Sequence, residues 1–277
     1  MPVLRVPCTY QGGKQRIASQ IADDLLRAQT DKDGRFYDLC CGSGAVTLEL
    51  VNRGISPEQI TMLDLSSWGA FWSAIGAGTF RLEVFDRYLM NFPQDKALVR
   101  AHAIELANTC SADDEPELYP ILQACAFGGK QIWWDGHRWR NAFFRRYWQP
   151  TPTSKRRSPA NTMQPQPEEL LRRVHLLVDR MAGVEGLRME ITDFLERSIP
   201  ANAVIYVDPP YDGTTDYGFR FDIQHFVEVL RQRTDSKIFV SEAKPLGPDS
   251  KEIILGGANG GISGNRVKKH REWLTAF

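Results

Sequence analysis

Between residues 36 and 64 the chain runs through an order of residues that few architectures accommodate. The apolar run Phe36–Leu39 gives way to Cys40-Cys41-Gly42-Ser43-Gly44, residues 46–52 have helical spacing, and a second apolar run, Ile60–Leu63, stops at Asp64. Runs this short and this apolar suit strands covered on both faces. Strand, glycine turn, helix, strand is the crossover unit of a doubly wound α/β sheet. A further helix is expected over 14–29, where Ile17, Ile21, Leu25 and Leu26 share one face.

Strand-like runs return at 187–191, 203–207 and 237–240, with a helical stretch at 223–233 between the last two. The end carries strand-like 252–255, a glycine-rich turn (Gly256, Gly257, Gly260, Gly261) and a final apolar segment, 273–277. What lies between is different. Residues 85–127 favour helix, broken by Asp113-Asp114-Glu115-Pro116-Glu117, and residues 128–150 are crowded with aromatics and arginines. The proline-rich stretch 150–167 is expected to be extended, and a helix is expected from about Glu168 to Met181. The expected organisation is a sheet domain built from residues 1–66 and 187–277, interrupted by an insertion at 67–186.

Composition excludes more than it assigns. The 34 basic and 34 acidic side chains cancel, so any attraction to a polyanion must come from a local basic face. Five cysteines, an odd number with no CxxC spacing, point to reduced thiols and a cytoplasmic protein. No run approaches the roughly 18 apolar residues that span a bilayer, so no membrane is expected. The five histidines are scattered without metal-ligand spacing, and no metal is expected.

Three motifs carry chemistry. Asp208-Pro209-Pro210-Tyr211 directly follows the apolar run Val204–Val207. A carboxylate, two prolines and an aromatic there make a rigid corner at the edge where α/β sheets bind ligands. Asp38-Leu39-Cys40-Cys41-Gly42-Ser43-Gly44 lets backbone approach a ligand closely, and Asp64, at the end of the next strand, stands where a carboxylate reaches ribose hydroxyls. Thr9-Tyr10-Gln11-Gly12-Gly13-Lys14 brings a cation near a glycine pair without the spacing of a Walker loop. Each has an ordinary reading in isolation: an Asp-Pro turn, a glycine turn, an aspartate capping a helix.

In content and order, these motifs resemble the Dam-like DNA adenine-N6 methyltransferases, over residues 9–66 and 187–240. The resemblance implies a Rossmann-like class I methyltransferase sheet with a largely helical DNA-recognition insertion, S-adenosylmethionine as cofactor and DNA as partner. It places Tyr10, Lys14, Asp38, Gly42, Ser43, Gly44 and Asp64 at the cofactor, Asp193 and Phe194 beside the cofactor's adenine, and Asp208, Pro209, Pro210 and Tyr211 at catalysis. One departure is Cys40-Cys41, where the family usually has proline or leucine followed by a bulky apolar residue. The chemistry accounts for the residue types. An adenine amino group is a poor nucleophile because its lone pair is delocalised into the ring. The Asp208 carboxylate and the Pro209 carbonyl would accept its two hydrogens, while Tyr211 stacks on a flipped base.

The insertion offers an independent argument. Between Lys130 and Arg157 stand eight basic residues (Lys130, Arg138, Arg140, Arg145, Arg146, Lys155, Arg156, Arg157) and one acid, Asp135, interleaved with Trp133, Trp134, Trp139, Phe143, Phe144, Tyr147 and Trp148. Arginines bind phosphates and guanine edges, and aromatics stack on or wedge between bases. The tryptophans are expected to pack as a small core; the arginine cluster is read as a DNA contact. The alternatives are an RNA or cytosine-N4 methyltransferase of the same fold, or a DNA-binding protein whose methyltransferase fold has lost turnover.

Overall fold

The computed structural model describes residues 2–109, 111–154, 157–209, 221–255 and 270–277. In chain order its elements are α1 (Ala18–Ala28), β1 (Phe36–Leu39), α2 (Ala45–Asn52), β2 (Ile60–Leu63), α3 (Ser67–Gly76), α4 (Leu82–Met90), α5 (Val99–Thr109), α6 (Glu115–Cys125), β3 (Trp133–Trp134), β4 (Trp139–Arg140) and α7 (Pro167–Arg180). There follow β5 (Glu185–Leu187), β6 (Val204–Val207), α8 (Ile223–Arg233), β7 (Lys237–Glu242), β8 (Ser250–Leu255) and β9 (His270–Ala276).

Strands β1, β2 and β6 are buried at every position, as strands covered on both faces must be. They lie at the centre of a seven-stranded sheet in the order β5-β2-β1-β6-β7-β9-β8. All neighbours are parallel except β9, which runs antiparallel to both β7 and β8. This is the mostly parallel, Rossmann-like α/β sheet expected from the sequence. The period of two divides the strand residues between two cores. Phe36, Val204 and Tyr206 join one with α1, α2 and α3; Tyr37, Leu39, Ile205 and Val207 join the other with α8.

The expected strand at 187–191 lies earlier, at Glu185–Leu187, and Ile191–Glu196 forms a 3-10 helix. Ile191 and Phe194 both enter the second core, and a 3-10 turn brings residues three apart onto one face where a strand would separate them. The acidic stretch ends α5's segment as expected, yet Glu115 to Glu117 open α6 instead of breaking it, since a proline in the first helical turn sacrifices no hydrogen bond.

The segment 67–186 begins with a helix and ends in a strand that are both part of the sheet layer. α3 lies on β5 so closely that glycine is required on both sides. A Cβ on Gly76 would stand 1.9 Å from the Val184 carbonyl oxygen, and one on Gly186 would stand 2.3 Å from the Trp72 carbonyl carbon. Between these elements lie α4 to α7 and the β3–β4 hairpin, and α6 shares the α3 core through Leu118, Tyr119, Ile121 and Leu122. Because backbone atoms cannot swing aside, Gly76→Ala is expected to cost about 3 kcal/mol or more, beyond ordinary overpacking. Denaturant unfolding measures it; a loss under about 0.5 kcal/mol, the range of ordinary surface substitutions, would contradict this packing.

Candidate active site

The C-terminal ends of β1, β2 and β6, the edge at which such sheets bind ligands, lie side by side. Cys41 N–H donates to Leu63 O (3.0 Å) and Asp208 N–H to Leu39 O (3.0 Å), so backbone bonding continues past the strands. The loop after β1 then turns through three left-handed residues, Cys40 (φ 62°), Gly42 (φ 50°) and Gly44 (φ 73°). Proline, common at the position of Cys40 in the family the sequence resembles, is locked near −65° and cannot take this conformation. Gly42 leaves space for Tyr10: a Cβ there would come within 2.9 Å of the ring. Tyr10 in turn meets Trp68 edge to face, with centroids 5.7 Å apart, and Trp72 Nε1 donates to Gly42 O (2.9 Å). Ser43 is buried within the loop.

Asp64 braces this loop. Its Oδ2 accepts from Gly42 N–H (2.9 Å), and its Oδ1 accepts from Ser66 N–H (2.9 Å) and Ser66 Oγ (2.6 Å). Burial raises its pKa, partly opposed by these bonds. Asp38 accepts from Thr47 Oγ1 (2.7 Å), and burial lifts its carboxyl to about 6. Burial also pushes the Cys40 and Cys41 thiols well above their ordinary value, so neither is a ready thiolate nucleophile.

Asp208 stands at the end of β6 with its Oδ1 2.7 Å from Lys14 Nζ. Lys14 is itself buried and also lies 3.3 Å from Glu272 Oε1 on β9. Burial raises Asp208 to about 7; Lys14 opposes the rise, and Glu272 and Asp38 add to it. Pro209 is buried beside it, while Pro210 and Tyr211 lie outside the described residues. Lys14, Asp38, Gly42, Gly44, Asp64 and Asp208 thus gather at one edge. Phe194 does not join them: it is fully buried in the second core against Tyr37 (centroids 5.2 Å), and Asp193 is exposed.

The basic residues of the hairpin region divide. Lys130, Arg138, Arg146 and Arg157 are exposed, whereas Arg145 is half-buried and donates through Nε to Ala126 O (2.6 Å). Arg140 pairs with Asp135, and Arg157 Nη1 donates to Pro152 O (3.1 Å); Lys155 and Arg156 lie outside the described residues. Of the tryptophans, Trp139 packs as expected, stacking on Tyr119 (6.2 Å) and meeting Trp134 edge to face, whereas Trp148 is exposed. Phe143 remains 69% exposed, bordering a recess with Trp133, Arg140 and Asn141.

Two groups were not legible in the sequence. Glu272 stands just before the terminal stretch 273–277, and only its alternation with Leu274 and Ala276 marks it as facing inward. Ser67, Glu115 and Arg188 fasten the hairpin to the edge. Ser67 Oγ donates to Glu115 Oε1 (2.5 Å) and accepts from Trp134 N–H (2.9 Å). Arg188 donates to Glu115 Oε2 (2.7 Å) and Trp134 O (2.9 Å).

No family model and no curated protein matches the chain. Among solved structures, the rRNA methyltransferase aviRa from Streptomyces viridochromogenes is similar at 17% identity over 97% of this chain and 86% of that one, with a TM-score of 0.36. So loose a likeness bears on neither substrate nor reaction.

If Asp64 holds the glycine loop, Asp64→Ala strands two backbone N–H groups and should cost about 1–3 kcal/mol in stability. If S-adenosylmethionine is the ligand, as the sequence resemblance implies, its affinity should fall by a similar amount. Calorimetry returning wild-type affinity in a folded variant would remove Asp64 from the site.

Proposed function

We propose that the protein transfers a methyl group from S-adenosylmethionine to the exocyclic amino group of adenine in DNA. The observation that carries this reading is the Asp208 carboxylate, largely shielded at the end of β6 beside Lys14 and next to the Asp64-braced glycine loop. The donor set suits the cofactor's chemistry. S-adenosylmethionine carries a cationic sulfonium and an ammonium, and among the described residues this edge offers four buried or nearly buried carboxylates, Asp38, Asp64, Asp208 and Glu272, with Lys14 against two of them. Its carboxylate would find Lys14, and a ribose hydroxyl the remaining lone pair of Asp64 Oδ2.

Bound there, the cofactor supplies an electrophilic methyl group. The protein's part is orientation: Asp208 and the Pro209 carbonyl accept the two amino hydrogens and fix the nitrogen's direction. The nitrogen sheds a proton only after it has become cationic, so no strong base is needed, and a carboxylate titrating near 7 can receive that proton. We assign DNA contact to the exposed Lys130, Arg138, Arg146 and Arg157, with Arg140 at the recess and Phe143 beside it. Arg156 is assigned with them from the sequence alone. Arg145 serves to hold the segment in place. The recognition insertion on this reading is the part between α3 and β5, fastened to the cofactor edge by Ser67, Glu115 and Arg188.

DNA from cells expressing the protein should contain N6-methyladenine, detected by mass spectrometry after digestion. Asp208→Ala should fold and bind DNA but lose transfer by about three orders of magnitude or more, since orientation supplies much of the rate. The wild-type rate should rise with pH through about 7, because the ionised carboxylate is the better acceptor and is present only above that value. N4-methylcytosine, or label in RNA alone, would replace the substrate; wild-type-like transfer by Asp208→Ala would sink the assignment of the motif.

The arginines give a separate test. Arg146→Ala should weaken DNA binding and reduce the slope of log K against log salt by about one, the signature of one lost phosphate contact. Arg145→Ala should instead lower stability. Equal salt slopes in wild type and Arg146→Ala would make that side chain a solvated one.

A further inference from the structure

Glu115 is a buried carboxylate at the start of α6, outside the methyl-transfer chemistry itself. Its two oxygens serve different residues: Oε1 accepts from Ser67 Oγ (2.5 Å) and Oε2 from Arg188 Nη1 (2.7 Å). Those residues leave the two strand ends that present Asp64. Ser67 follows Ser66, which donates to Asp64 Oδ1, and Arg188 follows Leu187, whose carbonyl accepts from Asp64 N–H (3.1 Å). The strand ends are packed without slack. A Cβ on Gly69 would stand 2.1 Å from the Asp64 carbonyl oxygen and 2.8 Å from the Arg188 Cα. The Arg188 charge also bears on Asp64, opposing the rise that burial imposes on that carboxyl.

The same two residues hold the β3–β4 hairpin by its outer edge. Asp135 N–H donates to Arg138 O (3.2 Å). Bonded and non-bonded pairs alternate along an antiparallel ladder, so the next residue pair, Trp134 and Trp139, turns its N–H and C=O groups outwards. Trp134 N–H donates to Ser67 Oγ (2.9 Å), and its carbonyl accepts from Arg188 Nη2 (2.9 Å). With two residues per strand, the hairpin has little stability of its own. Other contacts tie it to the insertion, through Ile132 N–H to Gln123 Oε1 (3.0 Å) and the stacking of Trp139 on Tyr119. Ser67 and Arg188 tie it to the strand ends at Asp64, and Glu115 holds both of them at once.

We propose that Glu115 is a positioning residue that makes the hairpin respond to the cofactor: a ligand on Asp64 orders the two strand ends and, through Ser67 and Arg188, the edge of Trp134. This rests on the functional reading above. Ordering one element for two ligands makes each bind better in the presence of the other, and the gain is reciprocal. S-adenosylmethionine at Asp64 therefore tightens DNA binding at Arg138, Arg140 and Phe143, and DNA tightens the cofactor. Glutamine keeps the shape of Glu115 but offers one acceptor oxygen where two are used, so Glu115→Gln releases one of the two anchors.

The experiment uses the full chain and S-adenosylhomocysteine, the demethylated cofactor, so that no turnover intervenes. Hydrogen exchange at the Trp134 amide should slow about tenfold on its addition to wild type, and less than about twofold in Glu115→Gln. Affinity for a duplex carrying the site methylated in expressing cells should rise about tenfold with it in wild type and stay flat in Glu115→Gln. Its own affinity without DNA should remain within about threefold, since Glu115 does not touch the cofactor edge. Arg188→Lys keeps the charge beside Asp64 but loses the planar fork that spans Glu115 and Trp134. It should uncouple likewise, and it serves if Glu115→Gln does not fold. A merely structural Glu115 would lower thermal stability and leave both ratios as in wild type, which overturns the proposal. So does a wild type whose Trp134 exchange ignores the bound ligand. A wild type that shows the exchange response yet methylates no DNA sinks the functional reading and leaves the clamp standing; one that does not bind S-adenosylhomocysteine loses both.

Discussion

The ammonium of Lys14, buried against Asp208 and Glu272, draws together the segment before α1, the end of β6 and the start of β9. These parts of the chain are distant in sequence, and the sheet order places them at one edge, with β7 between β6 and the antiparallel β9. Charge cannot be left unpaired at such depth, so the N-terminal segment is held against the sheet by electrostatics as well as by packing. The same segment is stitched to the helical part by Thr9 N–H to Gln164 O and Gln11 N–H to Gly129 O.

That arrangement has a thermodynamic consequence. Asp208 and Asp38 titrate near 7 and 6 in the folded protein, against about 4 in an unfolded chain. The folded state therefore holds more protons than the unfolded one between about pH 4 and 7. The contribution of these two groups to stability is greatest at the acid end of that window and falls as pH rises through it. At neutral pH the fold keeps carboxylates where they destabilise it, as expected of groups retained for chemistry.

Close packing and a polar network meet at α3. Its glycines let it lie on β5 with backbone in contact with backbone, which fixes the strand end bearing Asp64 and Ser66. Ser67, the next residue, passes that rigidity through Glu115 and Arg188 to the hairpin. The sheet edge and the hairpin are thus parts of one polar network, not two modules joined by a linker.

Local order along the chain determined the sheet and the positions of its motifs. Short apolar runs, glycine turns and terminal carboxylates have meanings set by backbone sterics and by burial, which neighbours in sequence suffice to specify. For that reason β1, β2, β6, the glycine loop, Asp64 and Asp208 were readable in advance. Tertiary structure alone decided which charges face one another. Glu272 stood outside the segments read as strands, and Arg145 looked like its neighbour Arg146; burial set both apart. The strand at 185–187 was displaced from its expected place because the α3 glycines accept only a backbone there, a constraint written on another element. Pairing of buried charges depends on strand order and crossing distance, and neither is encoded within any single stretch of the chain.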